Sequence, residues 1–172
     1  DRTTILDLAQ QACDNFQPDV IVGSSLGGAL AMRMARCYQI PAVLISPVWN
    51  TQVNLASFGS AALLLQAFAA PALRDIFTDE LPARSLILHS PRDDVFDFNH
   101  SRALLMRPHN ELPGDGEEIR RIRDVAVQLR NRFDLTSQID GQECPDRLLA
   151  TGNDHRMNDT QSLQVIAAAA SS

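Results

Sequence analysis

The 172-residue chain has little that would tie it to nucleic acid, to a membrane or to a disulfide framework. Basic residues are outnumbered, 15 Lys and Arg against 21 Asp and Glu, and the net charge is −6. A polyanionic partner wants a basic stripe; the Arg-rich stretch 120–132 is balanced by acids and reads as a solvated helix face. No apolar run approaches the roughly 20 residues that cross a bilayer, because the stretch 61–72 is short and contains Gln66 and Pro71. No secretory signal is visible over the first residues, so none is expected. Three cysteines, Cys13, Cys37 and Cys144, are an odd number without metal-type spacing, which argues against a disulfide scaffold or a cysteine metal site. These absences lead to the expectation of a cytoplasmic protein with no nucleic-acid partner and no membrane span. The chain opens at Asp1, without an initiator Met, and runs directly into a helical pattern; residues upstream of it are expected.

What is present is ordinary globular composition, 45% apolar and 21% charged, in a length that suits one domain with a real core. Ile5, Leu8, Ala9, Ala12 and Phe16 recur at helical spacing over residues 3–16, and Pro18 ends that helix. Short apolar strands follow at 20–22, 42–45, 85–89 and 147–151, the kind buried on both faces of a parallel sheet. Helices are predicted at 29–38, 60–69, 99–106, 117–133 and 160–170. Alternating strands and helices imply an α/β fold, a mostly parallel sheet with helices on both faces. The stretches 107–116 and 134–146 read as loops around one amphipathic helix, and 107–146 as an insertion in a single domain spanning 1–172.

Ligands in such sheets bind at the carboxyl ends of the strands, where three polar clusters fall. Gly23-Ser24-Ser25-Leu26-Gly27 has the form G-x-S-x-G between a strand and a helix. A sharp turn there holds the serine at its apex, and close backbone packing calls for glycine two before and two after. Ser25 meets this demand and Ser24 does not. A serine hydroxyl needs a base. Of four histidines, His89 lies within an apolar strand and reads as a packed strand residue, His100 as a surface cap of its helix, and His109 as solvated beside Pro108. His155, in Gly152-Asn153-Asp154-His155, follows a strand end and can hang over the sheet edge. The base in turn needs a carboxylate, and Asp93 or Asp94 can serve; Asp154 adjoins His155 and is expected to point away. The order Ser25, Asp93, His155, each after a different strand, is that of the α/β-hydrolase class.

The chain resembles the α/β-hydrolase superfamily and, within it, the small bacterial YqiA-like esterases. The similarity rests on Val22 to Gly28, Pro41-Ala42-Val43, Asp93 to Asp97, and the Gly-x-x-His segment Gly152 to His155. It implies Ser25 as nucleophile, Asp93 rather than Asp94 as acid, His155 as base, the Leu26 N–H in the oxyanion hole, and neither metal nor organic cofactor. The implied substrate is a small acyl ester or thioester. Trp49 and Phe58, with Leu63 and Phe68, fall where such hydrolases build a cover and are candidates for substrate binding; the alternative is plain core. The upstream strand of the superfamily ending in His-Gly, which supplies a second oxyanion donor, has no counterpart before Ser25, so N-terminal strands are expected to be missing. Peptidase, lactonase and acyltransferase chemistry, and a silent binding protein, remain compatible. A phosphate site on Gly27-Gly28 is disfavoured, because the Lys of a P-loop is lacking.

Overall fold

The computed structural model describes residues 4–49, 75–112, 114, 116–155 and 157–172. Helix α1 (Ile5–Phe16) starts at a capping box: the Thr4 hydroxyl accepts the Asp7 N–H at 3.1 Å, and the Asp7 carboxylate accepts the Thr4 N–H at 2.7 Å. Gln17 closes the helix in the left-handed conformation, φ 45°. Strand β1 (Ile21–Ser24) then leads into α2 (Leu26–Tyr38), followed by β2 (Ala42–Ile45), β3 (Ser85–His89) and α3 (Phe98–Leu105). A 3₁₀ turn at Pro108–Asn110, α4 (Glu117–Phe133), β4 (Gln138–Ile139), β5 (Gln142–Glu143), β6 (Leu148–Ala150) and α5 (Thr160–Ala170) complete the order. The helix expected at 60–69 lies outside the described residues.

Four strands form one parallel sheet in the order β1-β2-β3-β6, with Ile21 opposite Ala42, Ala42 opposite Ser85 and Ile87 opposite Leu148. Successive side chains point to opposite faces of a strand, and both faces are apolar here. Leu44, Ile87 and Leu148 pack on one side with Met32 and Ala35 of α2 and Leu104 of α3. Val43, Leu88 and Leu149 pack on the other with Ala126 and Leu129 of α4 and Val165 of α5. Each buried Leu or Ile contributes on the order of 2 kcal/mol. The fold is therefore α/β, a parallel sheet with helices on both faces.

Three expectations need correction. The first strand is not buried on both faces: it is the edge of the described sheet, paired only with β2, and Val22 is 46% exposed. The stretch 134–146 is not wholly loop, because β4 and β5 pair antiparallel across Asp140-Gly141. Both turn residues have positive φ, 52° and 74°, which suits an Asp-Gly hairpin. His100 is not a surface cap. Asp97 caps α3, accepting the Asn99 N–H at 2.7 Å, and His100 turns inward against Trp49 and Phe96. Among the described residues, no helix is long and apolar enough to cross a membrane.

Candidate active site

Ser25 is the hinge between β1 and α2, at φ 52° and ψ −122°. A non-glycine residue there is strained and persists only when its surroundings over-determine it. They do so here. The Ser25 N–H donates to Ile45 O at 2.9 Å, and its carbonyl accepts the N–H groups of Gly28 at 2.9 Å and Val48 at 3.0 Å. A Cβ on Gly23 would sit 2.5 Å from both Gly27 O and the Ala31 Cβ, so that position admits only glycine. The expectation that Gly27 is equally constrained is overturned: a Cβ there meets nothing within 4 Å. The second tight glycine is Gly28, where a Cβ would lie 2.9 Å from Pro47, because the helix turns its third residue, not its second, toward the β2 exit. Leu26 opens α2, so its N–H has no helical acceptor and lies at the positive end of the helix dipole.

Asp93 and His155 leave neighbouring strands, β3 and β6, and are brought together by turns tied to each other. The Ser90 hydroxyl donates to Gly152 O at 2.9 Å, and the Thr151 N–H donates to His89 O at 3.1 Å. Gly152 stands at φ 94°, where a Cβ would lie 2.9 Å from the Met157 side chain. His155 Nδ1 lies 2.9 Å from Asp93 Oδ2, with the carboxylate fully buried and the imidazole 16% exposed. Asp93 Oδ1 accepts the backbone N–H groups of Val95 and Phe96, each at 2.8 Å. Burial is the largest influence on this carboxyl and would raise its pKa. Bonds from His155, His89 and the two backbone amides outweigh it and hold the group well below the usual carboxylate range. Asp94 is exposed and, among the described residues, accepts the His155 backbone N–H at 3.4 Å, so Asp93 is the acid that faces the ring.

Other groups escaped the sequence reading. His89 is buried in β3 and also touches the site: its Nε2 lies 3.2 Å from Asp93 Oδ2 and 3.1 Å from Phe96 O, and its Nδ1 lies 2.7 Å from the Ser101 hydroxyl. The Phe96 ring stacks against His155 and His100, with centroids 5.4 Å away in each case. Nothing in the local sequence marks these roles, because the partners arrive from α3 and from the turn that folds back over β3. His109 is nearly half exposed, in hydrogen-bond contact with Asp79 O at 2.9 Å.

Ser25 follows β1 at the same carboxyl edge of the sheet as Asp93 and His155. Among the described residues, no hydrogen bond joins its hydroxyl to the His155 ring, whereas the His155–Asp93 contact is closed. Catalytic hydrogen bonds are often long without substrate and tighten when it binds. Trp49 is buried, donates its indole N–H to His100 O at 3.1 Å and belongs to the core beneath this edge. Phe58 lies outside the described residues. Among the described residues, no group of three or more His, Cys, Asp or Glu side chains is placed to hold a metal. A cleft of about 650 Å³ lies at the other, amino end of the strands, lined by Val20, Val43, Leu86, Ile122 and Val125, and holds none of these site residues.

Residues 2–118 match the model of a family described as an uncharacterised protein family, UPF0227. That span includes Ser25 and Asp93 and stops short of His155. No curated protein and no solved structure matches the chain.

Proposed function

The chain belongs to UPF0227, a YqiA-like family, and we propose that it is a serine hydrolase of the α/β-hydrolase type, cleaving a carboxylic ester or thioester through an acyl-enzyme on Ser25. The observation that carries this reading is the buried 2.9 Å contact between Asp93 Oδ2 and His155 Nδ1 at the sheet edge that also carries the strained Ser25.

The chemistry follows from the atoms. With its Nδ1–H held by the carboxylate, His155 presents an unprotonated Nε2, the nitrogen that takes the Ser25 proton as the hydroxyl attacks an acyl carbonyl. Asp93, ionised throughout, stabilises the imidazolium. The Leu26 N–H is the oxyanion donor. The imidazolium returns the proton to the leaving alcohol or thiol, and water, activated by the same base, releases the acid and restores Ser25. In this reading Trp49 supports the site floor from beneath.

A fluorophosphonate probe tests the proposal. Labelling is expected in the native chain and absent in Ser25→Ala, and p-nitrophenyl ester hydrolysis should vanish with it. A second reading, a silent binding protein on the same fold, draws on the absence, among the described residues, of a hydrogen bond between the Ser25 hydroxyl and the His155 ring. Native protein that neither labels nor turns over ester would favour that reading and sink the first.

A further inference from the structure

We propose that His89 is a positioning residue for the reaction: its Nε2–H and the Nδ1–H of His155 share Asp93 Oδ2, so that a second, fully buried imidazole aims the carboxylate that holds the first. The inference rests on the hydrolase reading for its role in turnover, and on geometry alone for the contact.

The proton assignment follows from the neighbours. His89 Nε2 faces two acceptor oxygens, Phe96 O at 3.1 Å and Asp93 Oδ2 at 3.2 Å. Neither can donate, so this nitrogen carries the proton. Nδ1 of the neutral ring is then an acceptor, matched by the Ser101 hydroxyl at 2.7 Å. Ser101, His89 and the Asp93 side chain are all fully buried, so water cannot substitute for any of these partners. A ring present only to fill space would leave its nitrogens among carbon atoms, at the cost of two unpaired polar groups.

The consequence lies at Asp93. Oδ1 takes two backbone N–H groups and Oδ2 takes two imidazoles. Rotating the carboxylate would break all four contacts, so Oδ2 stays aimed at His155. The relay from Ser101 through His89 to Asp93 also begins on α3, which couples that helix to the site. Among the described residues, other charged or titratable groups around His155 are Asp94, Asp154 and, across Phe96, His100. Neither Asp94 nor His100 is hydrogen-bonded to Asp93 Oδ2.

Three variants test this: His89→Leu, His89→Gln, which keeps an N–H donor near the Nε2 position, and Ser101→Ala. The first readout is imidazole ¹H–¹⁵N NMR of His155, which needs no turnover; the second is kcat against KM on a p-nitrophenyl ester. His89→Leu should broaden or lose the slowly exchanging His155 Nδ1 proton and lower kcat by roughly 10- to 100-fold, the worth of a hydrogen bond to a charged group, with KM unchanged. His89→Gln should restore most of both. A folded His89→Leu with a native His155 spectrum and native kcat overturns the proposal, as does a folded Gln variant no better than Leu. Should His89→Leu not fold, Ser101→Ala decides: it should mix the His89 tautomers and weaken the His155 signal, and an unchanged spectrum overturns the role. A protein without esterase activity defeats the hydrolase reading, while the NMR arm still judges His89.

Discussion

At the scale of single residues, the site is built from positions where the backbone or a buried polar group has no freedom left. Gly23 and Gly27 look alike in the motif and differ in space. Gly23→Ala drives a Cβ into the Gly27 carbonyl and should cost about 3 kcal/mol or more, or abolish folding. Gly27→Ala meets open space inside a helix and should be neutral or stabilising by up to about 1 kcal/mol. Urea midpoints for the two variants check the contrast, and equal losses would refute it. Ser25 is a second case. Its φ of 52° is borne by a residue that glycine would replace without strain. Ser25→Gly should therefore raise stability by about 1 kcal/mol while removing probe labelling, an exchange of stability for chemistry visible in one melting curve.

At the scale of elements, the strands were legible because a parallel strand between two helix layers must be apolar on both sides. Leu44, Ile87 and Leu148 answer one layer and Val43, Leu88 and Leu149 the other, so a continuous apolar run marks the strand wherever the sheet is interior. The same rule failed at β1, where an apolar run sits at an edge; which strand is outermost depends on pairing order, which a local window does not contain. The hairpin at Asp140-Gly141 was legible in principle, since that dipeptide is a turn signal, but its strands are too short and polar to show alternation. Arg147, just before β6, was unreadable for another reason. It is buried, and its guanidinium reaches the carbonyls of Pro82, Ala83 and Asn110 and the Ser85 hydroxyl. Burial lowers its pKa to about 10. It ties the start of β6 to the approach to β3, so Arg147→Met should leave unpaired carbonyls and cost roughly 2 kcal/mol, read as a shifted urea midpoint with an unchanged slope.

At the scale of the molecule, the half-buried His100 ring and the buried Asp93 carboxylate set how stability follows pH. Burial lowers the His100 pKa to about 4. The unfolded chain binds that proton near the ordinary value of about 6.5, so between these limits the unfolded state holds more protons and stability falls as pH falls. The total is on the order of 3 kcal/mol. Asp93 acts in the same direction lower down: its depressed carboxyl supplies stability that is complete above the unfolded value of about 3.9 and is lost as pH drops through and below it. Denaturant midpoints should decline from pH 7 to pH 4, and His100→Phe should flatten the stretch between about 6.5 and 4. An unchanged slope in that variant would show that another group governs the decline.

The linear order of residues determined by itself the alternation of strands and helices, the glycine-flanked bend at Ser25, and the placing of Asp93 and His155 each after a different strand. Each of these follows from local propensity or from a spacing that the chain carries openly. Tertiary structure alone decided that His89 shares the Asp93 carboxylate oxygen that faces His155, and that His100 packs half-buried against Trp49 and Phe96 instead of capping its helix. The reason is geometric: which oxygen meets which nitrogen depends on how two turns, more than fifty residues apart, are bolted together over the sheet edge.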